Sequence, residues 1–119
     1  MIRTASVYHL KRLPGVEQAT YGFRVLVMRR WPRGIARSLV DRWMPEAAPS
    51  SELLDAYRAG RLPWQDVATA YRAGLSTSLL EQLCQMEQDH GTLTVLCWEP
   101  DGQPCHRHLL QQALKEHDR

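Results

Sequence analysis

No stretch of this 119-residue chain stays apolar for long enough to cross a bilayer, and none has the apolar centre of a secretory leader. Charge arrives early instead, at Arg3 and then at Lys11 and Arg12. The expectation is a cytoplasmic protein with no membrane partner. A strong excess of one charge is also missing: Lys and Arg number 15, Asp and Glu 13, for a net charge of +2. A dedicated nucleic-acid module usually carries a larger basic excess or a recognisable motif, so nucleic acid is the less favoured partner. Cysteine is scarce and odd in number, at Cys84, Cys97 and Cys105. Without a leader, that argues for free thiols in a reducing compartment, not a disulfide scaffold. No repeat, low-complexity tract or linker divides the sequence. Its length suits one domain over residues 1–119, built on a single core.

What is present alternates between strand and helix periodicity. This predicts an α/β fold, a single three-layer domain with a central, mostly parallel sheet flanked by helices. Residues 5–10 read as a first strand, and Pro14-Gly15 opens a loop that runs to Tyr21-Gly22. Residues 23–28 are the clearest early strand, rich in β-formers and bounded by Gly22 and Pro32. Trp31-Pro32-Arg33-Gly34 is a turn. Residues 39–44 fit either a short strand or one helical turn, ended by Pro45 and Pro49. Three helices follow. The first starts at Pro49-Ser50-Ser51-Glu52, with a serine cap and acid in its first turn, and runs to Gly60. The second opens at Pro63-Trp64 and closes at Gly74. The third runs from a Ser76 cap to a Gly91 stop. Residues 93–97 form a buried strand, Pro100-Asp101-Gly102 turns the chain, and Pro104 starts the last helix. The two apolar strands, 23–28 and 93–97, should be parallel neighbours, because both are buried on two faces and separated by helices.

The densest chemistry lies in the last third. A buried strand ends on Cys97 and Glu99, and Cys105-His106-Arg107 stands at a helix start. In open α/β sheets ligands bind outside the carboxyl ends of the strands. A thiol near a helix N-terminus has its thiolate favoured, and His106 and Arg107 beside Cys105 complete what a sulfur nucleophile needs. The plainer alternative makes Cys105 a small residue packed at a helix end, with Arg107 paired to a local carboxylate. Cys97 is similarly either reactive or a small buried residue. A metal site from Cys97, Glu99, Cys105, His106 and His108 matches no standard zinc spacing, so no metal is expected and no cofactor is indicated. Arg24, Arg29, Arg30, Arg33, Arg37 and Arg42 crowd one region with only Asp41 against them. Arg29 and Arg33 follow a strand and are placed to grip phosphate or carboxylate, or else to form structural ion pairs. Trp31, Trp43 and Trp64 read as core or loop anchors. His9, His90 and His117 belong to no constellation and should lie on the surface.

Arg24-Val25-Leu26-Val27-Met28-Arg29-Arg30-Trp31-Pro32-Arg33-Gly34 resembles the signature R-V-L-V-D-R-L-W-P-R-G. That signature belongs to the YeaO-like branch of the domain of unknown function 488 family. Trp43-Met44-Pro45-Glu46-Ala47-Ala48-Pro49-Ser50 is similar to the family's W-L-K-E-L-A-P-S. Cys97-Trp98-Glu99 and Cys105-His106-Arg107 resemble its C-A-E and C-H-R, and Lys11-Arg12 falls where a K-R recurs. The resemblance runs from about Val7 to Leu114. It implies a compact α/β domain with a largely parallel sheet, and supplies no established reaction. The departure is Met28, where the signature has aspartate. A role resting on that carboxylate has no group at this position to carry it. The segment between Gly34 and Trp43 is also slightly short.

Two functional readings follow. In the first, a small enzyme or binding domain takes a phosphate- or nucleotide-like anion. Arg29, Arg33 and Arg107, beside Glu99, hold the ligand, and Cys105 or Cys97 with His106 does any chemistry. In the second, a non-catalytic interaction module presents the arginine loop to nucleic acid or an acidic protein. The first requires a concave pocket where Arg29, Cys97 and Cys105 converge; the second requires a flat basic face.

Overall fold

Strand β4 (Leu93–Cys97) is buried at every residue, and the domain is organised around it. The structure, a computed structural model, describes residues 1–117. Strands β1 (Ile2–Ser6), β2 (Phe23–Leu26) and β3 (Arg42–Trp43) join β4 in one parallel sheet of order β1-β4-β2-β3. The expected neighbours are parallel, with Phe23 opposite Leu93 and Leu26 opposite Leu96.

Strand alternation divides the apolar residues between two faces. Ile2, Val25, Leu93 and Val95 pack in one cluster with Leu79, Leu83, Leu110 and Leu114. These come from helices α5 (Thr77–His90) and α6 (His106–His117), and Tyr71 of α4 (Trp64–Gly74) joins them. Ala5, Leu26 and Leu96 turn to the other face, against Val7 and Leu10 of α1 (Val7–Arg12), Tyr21, Ile35 and Leu39. The result is the expected three-layer α/β arrangement. No helix among the described residues is long and apolar enough to cross a membrane.

The first strand differs from the sequence expectation. It ends at Ser6, and residues 7–12 are helical. Val7 and Leu10 are three residues apart, so a helix turns both onto the sheet, where each is fully buried. The expected loop over residues 14–22 contains the one-turn helix α2 (Gly15–Gln18) and a 3-10 turn at Ala19–Tyr21. The Gln18 amide donates to the Leu10 and Leu13 carbonyls at 3.1 Å, satisfying the end of α1. Residues 39–44 split between a 3-10 turn at Arg37–Leu39 and the two-residue β3.

The middle helices form as read. Ser50 caps α3 (Ser51–Arg58) by accepting from the Leu53 N–H, and Ser76 caps α5 by accepting from the Leu79 N–H. Trp31 and Trp43 meet edge to face and donate to the Ile35 and Met28 carbonyls, so both anchor the loop that follows β2. His9, His90 and His117 are exposed.

Candidate functional site

Parallel strands place all four carboxyl ends on one edge of the sheet, and the thiols gather there. Cys97 is the last residue of β4, and Cys105 immediately precedes α6. Ligand atoms of Cys97, Cys105 and His106 lie within 4.8 Å of one another, all three residues being buried. The Cys97 thiol donates to Glu99 Oε2 at 3.0 Å. Cys105 Sγ stands 3.8 Å from His106 Nδ1. The other ring nitrogen of His106 meets the Val27 carbonyl, just past β2. A carbonyl only accepts, so Nε2 carries a proton there and Nδ1 is the nitrogen that faces Cys105. Tyr71 of α4 packs edge to face on the same imidazole, with ring centroids 5.5 Å apart, and donates to the Ala47 carbonyl at 2.7 Å.

These neighbours separate the two thiols electrically. The Cys97 hydrogen bond, aided by His106, holds Cys105 well below the ordinary thiol range, against the opposing effect of burial. Cys97 is pushed up by the same bond and by burial, and so keeps its proton. Burial, and then the charge on Cys105, raises Glu99 above the usual carboxylate range. A thiol shifted down beside a thiol and a carboxyl both shifted up is the pattern of divergent acidities found in acid–base sites.

Two adjoining cavities lie along α3. One, of about 280 Å³, is lined by Met28, Arg29, Arg30, Arg58, Cys97, Glu99 and His106, among others. The second, of about 480 Å³, adds Tyr57, Trp64, Pro104 and Cys105, and shares Leu54, Arg58, Trp98, Glu99 and His106 with the first. Arg30 and Arg58 are exposed and make no ion pair among the described residues.

The remaining expected arginines sit elsewhere or are engaged. Arg29 lines the first cavity, but its guanidinium donates to the Ala48 and Pro49 carbonyls at 3.2 Å, fixing the entry to α3. Arg33 faces α1, where its carbonyl accepts from Tyr8, and it lines neither cavity described above. Arg107 is fully buried and donates to Thr4 Oγ1, the Glu99 carbonyl and Asp101. It fastens the residue 99–101 turn to β1, as the structural alternative for it required. Met28, where the resembling signature has aspartate, lines the cavity with a thioether.

Residues 8–118 match a family described as "DUF488-N3a: Active DUF488-N3 subclade". The chain belongs to the DUF488 family. A relative from Escherichia coli (strain K12), described as "Uncharacterized protein YeaO", is 34% identical over 68 residues, which span 56% of this chain and 59% of the relative. No solved structure matches. The DUF488 assignment therefore brings no substrate, and the chemistry rests on the site itself.

Sequence reading placed Arg30 with Arg29 and Arg33 as arginines within reach of the strand-end thiols, but missed Arg58, Tyr71 and the Val27 carbonyl. Arg58 and Tyr71 lie on helices whose packing onto the strand ends has no local sequence signal.

Proposed function

We propose that this DUF488 protein is a small thiol-dependent enzyme acting on an anionic ligand in the cleft along α3. The observation that carries the reading is the linked series Cys105 Sγ, His106 Nδ1 and His106 Nε2–H to the Val27 carbonyl. It has the form of a nucleophile, a base and a group that orients the base. In this reading His106 has taken the Cys105 proton, the thiolate attacks an electrophilic centre on the ligand, and His106 gives that proton to the group that leaves. Arg30 and Arg58, unpaired at the cleft wall, take the place first assigned to Arg33 and Arg107 in holding the anion. Arg29 and Cys97 line one cavity and Cys105 the adjoining one, with Glu99 and His106 in both, so Arg29, Cys97 and Cys105 do not share a single pocket; the concavity still favours this over the interaction-module reading, which needs a flat basic face.

Thiol labelling tests it. In reduced, chelator-treated protein, iodoacetamide should label Cys105 at least about tenfold faster than Cys84, which lies in the core beside Leu114. His106→Gln should slow Cys105 by about a hundredfold, the scale of a lost general base. Equal rates for Cys105 and Cys84, followed by peptide mass spectrometry, would remove the nucleophile. Pyrophosphate or a mononucleotide at low salt should protect Cys105. Arg30→Ala with Arg58→Ala should abolish that protection. An affinity for single-stranded oligonucleotide that falls steeply with salt would instead favour the interaction-module reading.

A further inference from the structure

We propose that Cys97, Glu99, Cys105 and His106 form a closed binding site for a borderline transition-metal dication of the Zn²⁺ type. The bound ion takes the Cys105 sulfur out of chemistry. The masking half rests on the thiol-enzyme reading above; the binding half does not.

Three donors are already assembled: two sulfurs and an imidazole nitrogen lie within 4.8 Å of one another. The Glu99 carboxylate lies outside that group but 3.0 Å from the Cys97 sulfur, and closes on the ion as the fourth donor. Zn–S bonds of about 2.3 Å and Zn–N bonds of about 2.1 Å, set at tetrahedral angles, separate neighbouring S and N donors by roughly 3.6 Å. Cys105 Sγ and His106 Nδ1 are 3.8 Å apart. The ring orientation is also the one a metal needs. Metal-bound histidine almost always donates its second N–H to a carbonyl or carboxylate, and here His106 Nε2 meets the Val27 carbonyl, leaving Nδ1 to coordinate. Two sulfurs and an imidazole select Zn²⁺, Co²⁺ or their neighbours over Mg²⁺ and Ca²⁺, which take oxygen. Charge supports the same assignment. Two buried thiols and a half-buried carboxylate stand together, Arg107 beside them is committed to Asp101, Thr4 and the Glu99 carbonyl, and Arg29, which lines the same cavity, is committed to the Ala48 and Pro49 carbonyls. A dication offsets that crowding. The sequence spacing had argued against zinc because it lacks close ligand pairs; the ligands come instead from a strand end and a helix start joined by one turn.

Binding forms two metal–sulfur bonds, one metal–nitrogen bond and one metal–oxygen bond. The thiol protons still present leave to the buffer, and no electron is transferred. Four protein donors leave no open position, so the metal form is inert and removal of the ion restores the thiolate.

Cobalt and zinc titration of the reduced, metal-free full chain tests this. One Co²⁺ per chain should give a thiolate-to-metal charge-transfer band and the intense visible bands of tetrahedral cobalt. Zn²⁺ should bleach both. Cys97→Ser and Cys105→Ser should each weaken Zn²⁺ competition against a chromogenic chelator by at least about a hundredfold, while Cys84→Ala should leave it unchanged. Zn²⁺ should also suppress Cys105 alkylation, and EDTA should restore it. The wild-type cobalt spectrum decides the site even if a variant fails to fold: octahedral cobalt, or no charge-transfer band, overturns it. Zn²⁺ bound with Cys105 still alkylated at the apo rate overturns the masking. A Cys105 reactive in apo protein that binds no metal overturns this site and leaves the thiol-enzyme reading standing. A tetrahedral metal site on an unreactive Cys105 does the reverse.

Discussion

Gly22→Ala should lower the thermal midpoint by roughly 10–20 °C, the shift that follows from about 3–5 kcal/mol in a domain of this size. Gly22 has φ +66° and ψ −135°, a conformation essentially closed to residues with a Cβ. An added Cβ would also stand 2.4 Å from the Thr92 carbonyl oxygen and 2.7 Å from Thr92 Cβ. Neither is a flexible side-chain end. The Thr92 carbonyl accepts the Phe23 N–H that opens the β2–β4 pairing, so relief of the clash comes only by spreading the two central strands. Gly91→Ala is the control. Its φ is +82°, but nothing lies within 4 Å of the added Cβ, and its cost should stay at about 1–2 kcal/mol. Equal losses for the two variants would show that backbone conformation alone matters at residue 22.

Arg107→Met should cost about 2–4 kcal/mol, measured by urea unfolding, while Asp101→Asn should cost less than about 0.5 kcal/mol. The asymmetry comes from burial: the Arg107 side chain is 0% exposed and that of Asp101 is 88% exposed. Removing the guanidinium leaves the part-buried Glu99 carbonyl without that donor and takes one from Thr4. Removing the carboxylate charge leaves a group in water. The hydrogen bond from Arg107 holds the Asp101 carboxyl below its ordinary value of 3.8, so any stability it supplies is present above that pH and lost on acidification below it. The Met variant should also slow Cys105 labelling, because the turn that carries Glu99 loses its tie to β1.

Much of the fold was legible because its signals are local. Proline and glycine bound the middle helices, Ser50 and Ser76 cap two of them, and the runs at β2 and β4 are mostly apolar on both faces, with Arg24 and Thr94 as their polar residues. The α1 segment misled because Val7 and Leu10 satisfy a helix face within a segment too short to show its period against a strand. The thiol pair was legible as a strand end facing a helix start. The arginines were not, because a guanidinium reaches several ångströms from its own backbone. Arg107 spends that reach inward on β1, Arg29 spends it on the carbonyls before α3, and Arg58 enters the cleft from a helix remote in sequence.

The strand order bears on how this chain is made. Synthesis proceeds from β1, yet β1 pairs only with β4, and before β4 is made β2 has only the two-residue register to β3. Until residues 93–97 leave the ribosome, Ile2–Ser6 has no partner and Phe23–Leu26 has half of one. At about 5–20 residues per second that interval lasts several seconds. Throughout it two strands wait with open edges, so the sheet closes late, around its last strand.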